Sequence, residues 1–187
     1  MTFTRAEIPD IIIIEPTVFG DNRGYFVETY KKDLLEKFIS KKIDFVQDNE
    51  SMSSFGVLRG LHFQIPPLSQ TKLVRVTKGE ILDVVVDIRK NSPTFGKHIS
   101  IVLSDKNKKQ LLIPQGFAHG FVVLSENAIF NYKVDSKYSP EHERGVKYDD
   151  KFLNIDWKID KDNLILAQKD KLLSSLVDIG DYFSELS

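Results

Sequence analysis

The sequence predicts a mainly β protein, a β-sandwich, jelly roll or barrel with short helices at its edges. Three observations predict it. Through the middle of the chain, short apolar runs alternate with turn signals at a spacing of about 8–12 residues. The clearest run, residues 81–88, has period 2: Leu82, Val84, Val86 and Ile88 share one face, and Asp83 and Asp87 the other. Helical spacing occurs in two stretches only, both outside this block.

The elements follow in order. Residues 11–14 are all isoleucine, bounded by Asp10 and Glu15-Pro16. That run is far short of the about 20 residues a membrane helix needs, and no Lys/Arg-led signal precedes it. Asp21-Asn22-Arg23-Gly24 reads as a hairpin turn, and Tyr25-Phe26-Val27 as the strand after it. Residues 31–39 set Leu34, Leu35, Phe38 and Ile39 on one side of a helix. The polar stretch Gln47-Asp48-Asn49-Glu50-Ser51 reads as a loop. Strands are expected at 73–76, 81–88, 99–103, 110–113, 121–124 and 128–134, with turns at 77–80 and 105–107. A second helix is expected from Lys169 to Leu176 and onward toward Phe183. The expectation is one domain over 1–187, with a β core at about 40–135 between an N-terminal strand and helix and a helical C-terminal flank.

Composition excludes several chemistries. The chain has 187 residues and no cysteine, so disulfides, Cys-ligated zinc, iron–sulfur clusters and a thiol nucleophile are ruled out. Lys and Arg number 26 against 27 Asp and Glu, a net charge of −1 that argues against wholesale nucleic-acid binding but not against a local anion site. The default expectation is a cytoplasmic protein with no membrane partner.

Pro114-Gln115-Gly116-Phe117-Ala118-His119 is the first motif that carries chemistry. Pro and Gly set a turn, and a histidine opens the next strand. This pattern resembles the second motif of the cupin jelly rolls, where that histidine is a metal ligand. The partner motif is usually H-x-H followed by Glu. Here it reads Arg59-Gly60-Leu61-His62-Phe63-Gln64, with Gln64 in place of the second histidine and no Glu before Glu80. A metal site needs three or four converging ligands, so no metal is expected. Histidines on apolar strands are often core residues, but His62 has Arg59, Gln64 and Lys72 around it. Polarity of that kind suits a pocket better than a core.

Further segments complete the pattern. Phe19-Gly20-Asp21-Asn22-Arg23-Gly24, Val46-Gln47-Asp48-Asn49, Gln70-Thr71-Lys72-Leu73, Tyr132-Lys133-Val134, Tyr138-Ser139-Pro140, Glu143, Ile155-Asp156-Trp157 and Lys169-Asp170 join the two histidine motifs. Together, in this order and over essentially the whole chain, they closely resemble the dTDP-4-dehydrorhamnose 3,5-epimerases. Two departures stand out: Ala167-Gln168 precedes Lys169-Asp170 where Leu-Ser is common, and Lys158 follows Trp157 where proline is common.

The resemblance implies a metal-free, cofactor-free cupin jelly roll that works as a homodimer. The implied reaction inverts C3 and C5 of dTDP-4-dehydro-6-deoxy-D-glucose and gives dTDP-4-dehydro-6-deoxy-L-mannose, the precursor of dTDP-L-rhamnose. By the same carry-over His62 is the base, Asp170 its acidic partner, Tyr132 the acid, and Lys72 the residue near the keto oxygen. Arg23, Glu28, Gln47, Asn49, Arg59, His119, Tyr138 and Glu143 match substrate-contacting positions.

The residue types suit that chemistry on their own terms. Carbons flanking a ketone carry acidified protons, because the carbanion delocalises as an enolate. Inversion needs a base on one face and an acid on the other. A histidine of pKa about 6.5 is basic at neutral pH, and a phenol of pKa about 10 keeps its proton. A carboxylate fixes the imidazole tautomer, and a lysine stabilises developing negative charge. Arginine forks suit a diphosphate, and Gln and Asn suit a base or ribose edge. Phe19 and Phe26 fit either a stacking role on the base or a place in the core. Three other readings stay open: an enzyme inverting C3 or C5 alone on a related 4-ketosugar, a metal-dependent cupin enzyme, and a silent nucleotide-sugar-binding module.

Overall fold

The computed structural model describes residues 1–186. Its strands are β1 (Thr2–Arg5), β2 (Ile12–Glu15), β3 (Val18–Asp21), β4 (Gly24–Val27), β5 (Gln47–Ser54), β6 (Val57–Gln64), β7 (Lys72–Lys78), β8 (Glu80–Asp87), β9 (His98–Ser104), β10 (Gln110–Ile113), β11 (Phe117–Val123), β12 (Asn127–Val134), β13 (Glu143–Gly145) and β14 (Ile165–Leu166). Helices α1 (Lys32–Ile39) and α2 (Gln168–Lys171) lie outside the β block. Sheet one runs β1-β2-β10-β7-β12-β5, sheet two runs β13-β6-β11-β8-β9, and β3-β4 form a separate hairpin. Neighbours within the two sheets are mostly distant in sequence, which is the crossing pattern of a jelly roll. Among the described residues no helix is long and apolar enough to cross a membrane.

Three apolar clusters hold this arrangement. Val74, Val76, Ile81, Val85, Leu111, Phe121 and Phe130 fill the space between the sheets. Leu58, Leu61, Leu82, Val84 and Val86 face outward from sheet two and are capped by Trp157, Leu176, Ile179 and Phe183 from the C-terminal segment. Leu73, Leu112, Ile12 and Ile14 face outward from sheet one and are capped by Leu35 of α1 and by Ile43. β8 is therefore buried on both faces, and Asp83 and Asp87 point into the molecule at 0% exposure instead of into solvent. Asp87 is matched there by Arg89, Ser92 and Thr94, all hydrogen-bonded to its carboxylate.

Four local expectations need correction. Residues 47–51 are not a loop: all of β5 pairs with β12, from Gln47 opposite Val134 to Ser54 opposite Asn127. Its period-2 burial, with odd-numbered residues turned inward, is hidden in a sequence that is polar at every position but Met52. The C-terminal flank is not one helix. It is α2 (four residues) followed by a bridge of Ser174 to Val146 and a 3₁₀ turn at Leu176–Asp178. Packing against sheet two outweighs helical spacing, and Leu172 is left 74% exposed. In α1 only Leu35 is fully buried, and Leu34 faces out at 37%. His119 is the third residue of β11, not its first.

Candidate active site

A cleft of about 640 Å³ opens between the sheets. Ten of the twelve residues singled out from the sequence line it: Gln47, Asn49, Arg59, His62, Lys72, His119, Tyr132, Tyr138, Glu143 and Asp170. Sheet two supplies Arg59 and His62 from β6 and His119 from β11, while sheet one supplies Lys72 from β7, Tyr132 from β12, and Gln47 and Asn49 from β5.

His62 and Asp170 lie 108 positions apart and are joined by a 2.7 Å contact between Nε2 and Oδ1. Local pairing brings them together. β14 runs parallel to β6, with Ile165 opposite Val57 and Leu166 opposite Leu58, and hands the chain directly to α2, which carries Asp170. The Asp170 carboxylate is 98% shielded, yet it is held below the usual carboxylate range. Burial alone would raise it, but the His62 hydrogen bond and charge and the Gly60 N–H outweigh burial. An ionised Asp170 keeps the proton on Nε2 and leaves the Nδ1 lone pair as the basic one.

That geometry requires glycine at two positions. Between His119 and Phe121, β11 shifts register against β6, and Gly60 takes φ +117°. A Cβ there would lie 2.6 Å from the Gly120 Cα, and one on Gly120 would lie 2.7 Å from the Arg59 carbonyl. The two strands can approach this closely only without side chains.

On the same sheet His119 donates from Nε2 to Asp83 Oδ2 at 2.9 Å, and its ring stacks on Phe130. Burial pushes its pKa down, which keeps the imidazole neutral. Asp83 escaped the sequence reading, although an acid inside an apolar strand was the available signal. Its Oδ1 is buried without a hydrogen-bond partner among the described residues.

Facing these groups, the Lys72 ammonium donates to the His62 carbonyl at 3.4 Å. Burial pulls its pKa down to about 8, against the opposing pull of Asp83 and Glu143. The Tyr132 phenol is raised above its ordinary value, chiefly by burial. One wall therefore presents the His62 ring with an ionised carboxylate behind it, and at neutral pH the other presents a protonated phenol beside an ammonium.

The mouth is polar and cross-linked. Gln47 Nε2 donates to Asn49 Oδ1 at 2.7 Å, and the Tyr138 hydroxyl donates to Glu143 Oε2 at 3.4 Å. Glu143 also accepts from Lys169 Nζ at 2.9 Å, so Lys169 belongs to the site although only its neighbour was singled out. Arg59 is exposed there and spends Nε on Ser53.

Arg23 and Glu28 are not brought to this cleft. Arg23 sits at the turn of the β3-β4 hairpin with its side chain 85% exposed, forked onto Asp21. Glu28 pairs with Lys31 at 2.8 Å. Phe19 and Phe26 on the same hairpin are 57% and 64% exposed, so neither belongs to the core. Among the described residues no group of three or more His, Cys, Asp or Glu side chains converges as a metal would require.

Comparison with known proteins points to one family. The family model described as dTDP-4-dehydrorhamnose 3,5-epimerase matches residues 5–178. The enzyme of that name from Shigella flexneri is 51% identical over 183 residues, covering 98% of this chain and 99% of its own. The crystal structure of the Elizabethkingia anophelis enzyme superposes with a TM-score of 0.91 at 49% identity, covering 95% of this chain and 97% of its own. The Legionella pneumophila structure, in complex with dTDP-4-keto-L-rhamnose, superposes with a TM-score of 0.92 at 45% identity, covering 96% and 94%. A family model spanning residues 5–178, on a scaffold shared at about half identity along nearly its full length, leaves one conclusion: the chain belongs to the dTDP-4-dehydrorhamnose 3,5-epimerase family.

Proposed function

We propose that this protein inverts C3 and C5 of dTDP-4-dehydro-6-deoxy-D-glucose, with His62 as base, Tyr132 as acid, Asp170 as the partner of His62, and Lys72 at the C4 keto oxygen. One observation carries the reading: His62 and Tyr132 belong to opposite sheets across one cleft. A ketosugar lying between the sheets meets a base on one face and a proton donor on the other. His62 Nδ1 takes the proton from the carbon next to the ketone, and the electron pair moves into the enolate. The Lys72 ammonium stabilises the enolate oxygen as its charge develops. Tyr132 then protonates the same carbon from the opposite face, inverting it. C3 and C5 both flank C4, so once His62 has given its proton to water and Tyr132 has taken one back, the same apparatus serves both. Electrons balance without a redox partner, since nothing is oxidised or reduced overall. Arg59, His119, Gln47, Asn49, Tyr138 and Glu143 surround the substrate in this reading.

A homodimer also belongs to the proposal. Arg23 and Glu28 can meet a substrate only if their hairpin serves another copy's cleft, and the exposed Phe19, Tyr25 and Phe26 support such a contact. The site draws on residues from Gln47 to Asp170, which supports one working domain over 1–187. A nucleoside diphosphate sugar does not cross membranes unaided, which supports a cytoplasmic location.

Turnover of dTDP-4-dehydro-6-deoxy-glucose in D₂O tests the reaction. Deuterium at both C3 and C5 is expected. Label at one carbon only favours the single-centre epimerase, and label at neither removes the proposal.

A further inference from the structure

Gln64 stands where metal-binding cupins of similar motif carry a histidine, and its amide is fully occupied in another way. Nε2 donates to the Leu68 carbonyl at 2.6 Å and to the Lys137 carbonyl at 3.1 Å, while Oε1 accepts from the Ser139 N–H at 2.8 Å. The residue is 4% exposed. Two further glutamines hold the same segment: Gln70 donates to the Ser136 carbonyl at 2.8 Å, and Gln47 accepts from the Tyr138 N–H at 3.2 Å. Three side-chain amides thus pin the three consecutive peptide groups of residues 136–139, which belong to no strand or helix. This segment leaves the end of β12 and delivers Tyr138 to the cleft mouth.

We infer that Gln64 is a positioning residue, whose amide holds the 136–139 peptide so that Tyr138 meets the nucleotide at the mouth of the cleft. This rests on the reading above that Tyr138 contacts the substrate. Only an amide supplies two donors and one acceptor in one planar group. A carboxylate would set oxygen against two carbonyl oxygens, and an apolar side chain would leave three backbone groups unpaired.

The test is a double-mutant cycle on dTDP affinity, measured by calorimetry, with steady-state kinetics alongside. Gln64→Met, which loses all three hydrogen bonds, and Gln64→Glu, which loses the two donated ones, are each expected to weaken dTDP binding about tenfold and raise KM similarly. Their kcat should stay within about threefold of wild type. In a Tyr138→Ala background the same changes should cost nothing further. In Gln64→Met, which lacks the acceptor, amide exchange should quicken at Ser139 while that of β6 and β12 stays as in wild type. If affinity falls equally in both backgrounds, or kcat falls with KM unchanged, the positioning role is overturned. If Tyr138→Ala alone binds dTDP normally, the Tyr138 contact is wrong, and slow exchange at Ser139 in Gln64→Met would overturn the peptide-holding role separately. Gln70→Ala releases a single bond at the far end of the segment. It supplies the same cycle, with a smaller expected loss, should the Gln64 variants fail to fold.

Discussion

His62 with Asp170 from α2 behind it, and Tyr132 with Lys72, line facing walls of one cleft, and the catalytic candidates have distinct expected signatures. Replacing His62 by Ala or Tyr132 by Phe should lower kcat by about 10²–10⁴-fold, the usual contribution of one acid or base. dTDP affinity, read by calorimetry, should stay near wild type. Normal turnover in both variants removes the assignment. Lys72 predicts the alkaline limb. Its ammonium is present below pH about 8 and lost above it, so kcat should fall as pH rises through that value. Lys72→Arg, charged at all accessible pH, should move the limb upward. A profile of kcat flat to about pH 9.5 would exclude a needed Lys72 charge. The effect on folding has the opposite sign. The folded state holds this proton less tightly than the unfolded chain, so its contribution to stability rises with pH from about 8 to the ordinary lysine value of 10.5. At this scale much was legible. His62, Lys72, Tyr132 and Asp170 stand in recognisable motifs, and all four line one cleft. Asp83 was not legible in its role, because pairing to His119 joins positions 36 apart through β8–β11 registry.

Elements explain why those residues meet. The parallel pairing of β14 with β6 sets the place of Asp170, and two residues of strand are too short to be read as periodicity. The C-terminal segment after α2 is an apolar strap over the outer face of sheet two. Phe183 is 2% exposed and lies 6.0 Å from Phe63, ring to ring. Phe183→Ala should cost about 3–5 kcal/mol in urea unfolding, while kcat of the folded fraction stays near wild type, since the strap faces away from the cleft. A loss under about 1 kcal/mol would mean the strap does not belong to the cooperative unit. Leu172→Ser, at a position 74% exposed, should change stability by less than about 0.5 kcal/mol. The same strap explains the failed helix expectation. Leu172, Leu173 and Leu176 have helical spacing, but Leu176 is buried through a 3₁₀ turn against sheet two, and local spacing does not register a partner surface. β5 was missed for the opposite reason: both its faces are polar, one toward solvent and one toward the cleft.

At the scale of the whole molecule, the position of the β3-β4 hairpin matters most. In the proposed homodimer Arg23 completes the partner's site. Mixing Arg23→Ala with His62→Ala protein, each inactive alone, should restore up to about a quarter of wild-type sites, because half the dimers are mixed and each carries one intact site. Restoration of none, with mixed dimers demonstrated, would confine Arg23 to its own chain. Taken by itself, the sequence determined the fold class, the absence of thiol chemistry, and a set of residue types suited to proton transfer beside a ketone. The first two follow from composition and short-range periodicity, which neighbouring residues carry, and the third from the resemblance of motifs along the chain to a known family. Only the tertiary structure decided that His62 and Tyr132 occupy opposite walls, that Asp170 lies behind His62, that Asp83 lies inward, and that Arg23 stands away from its own cleft. Each depends on strand order and register between segments tens of residues apart, where the energy lies in burying faces against one another and not in any local preference.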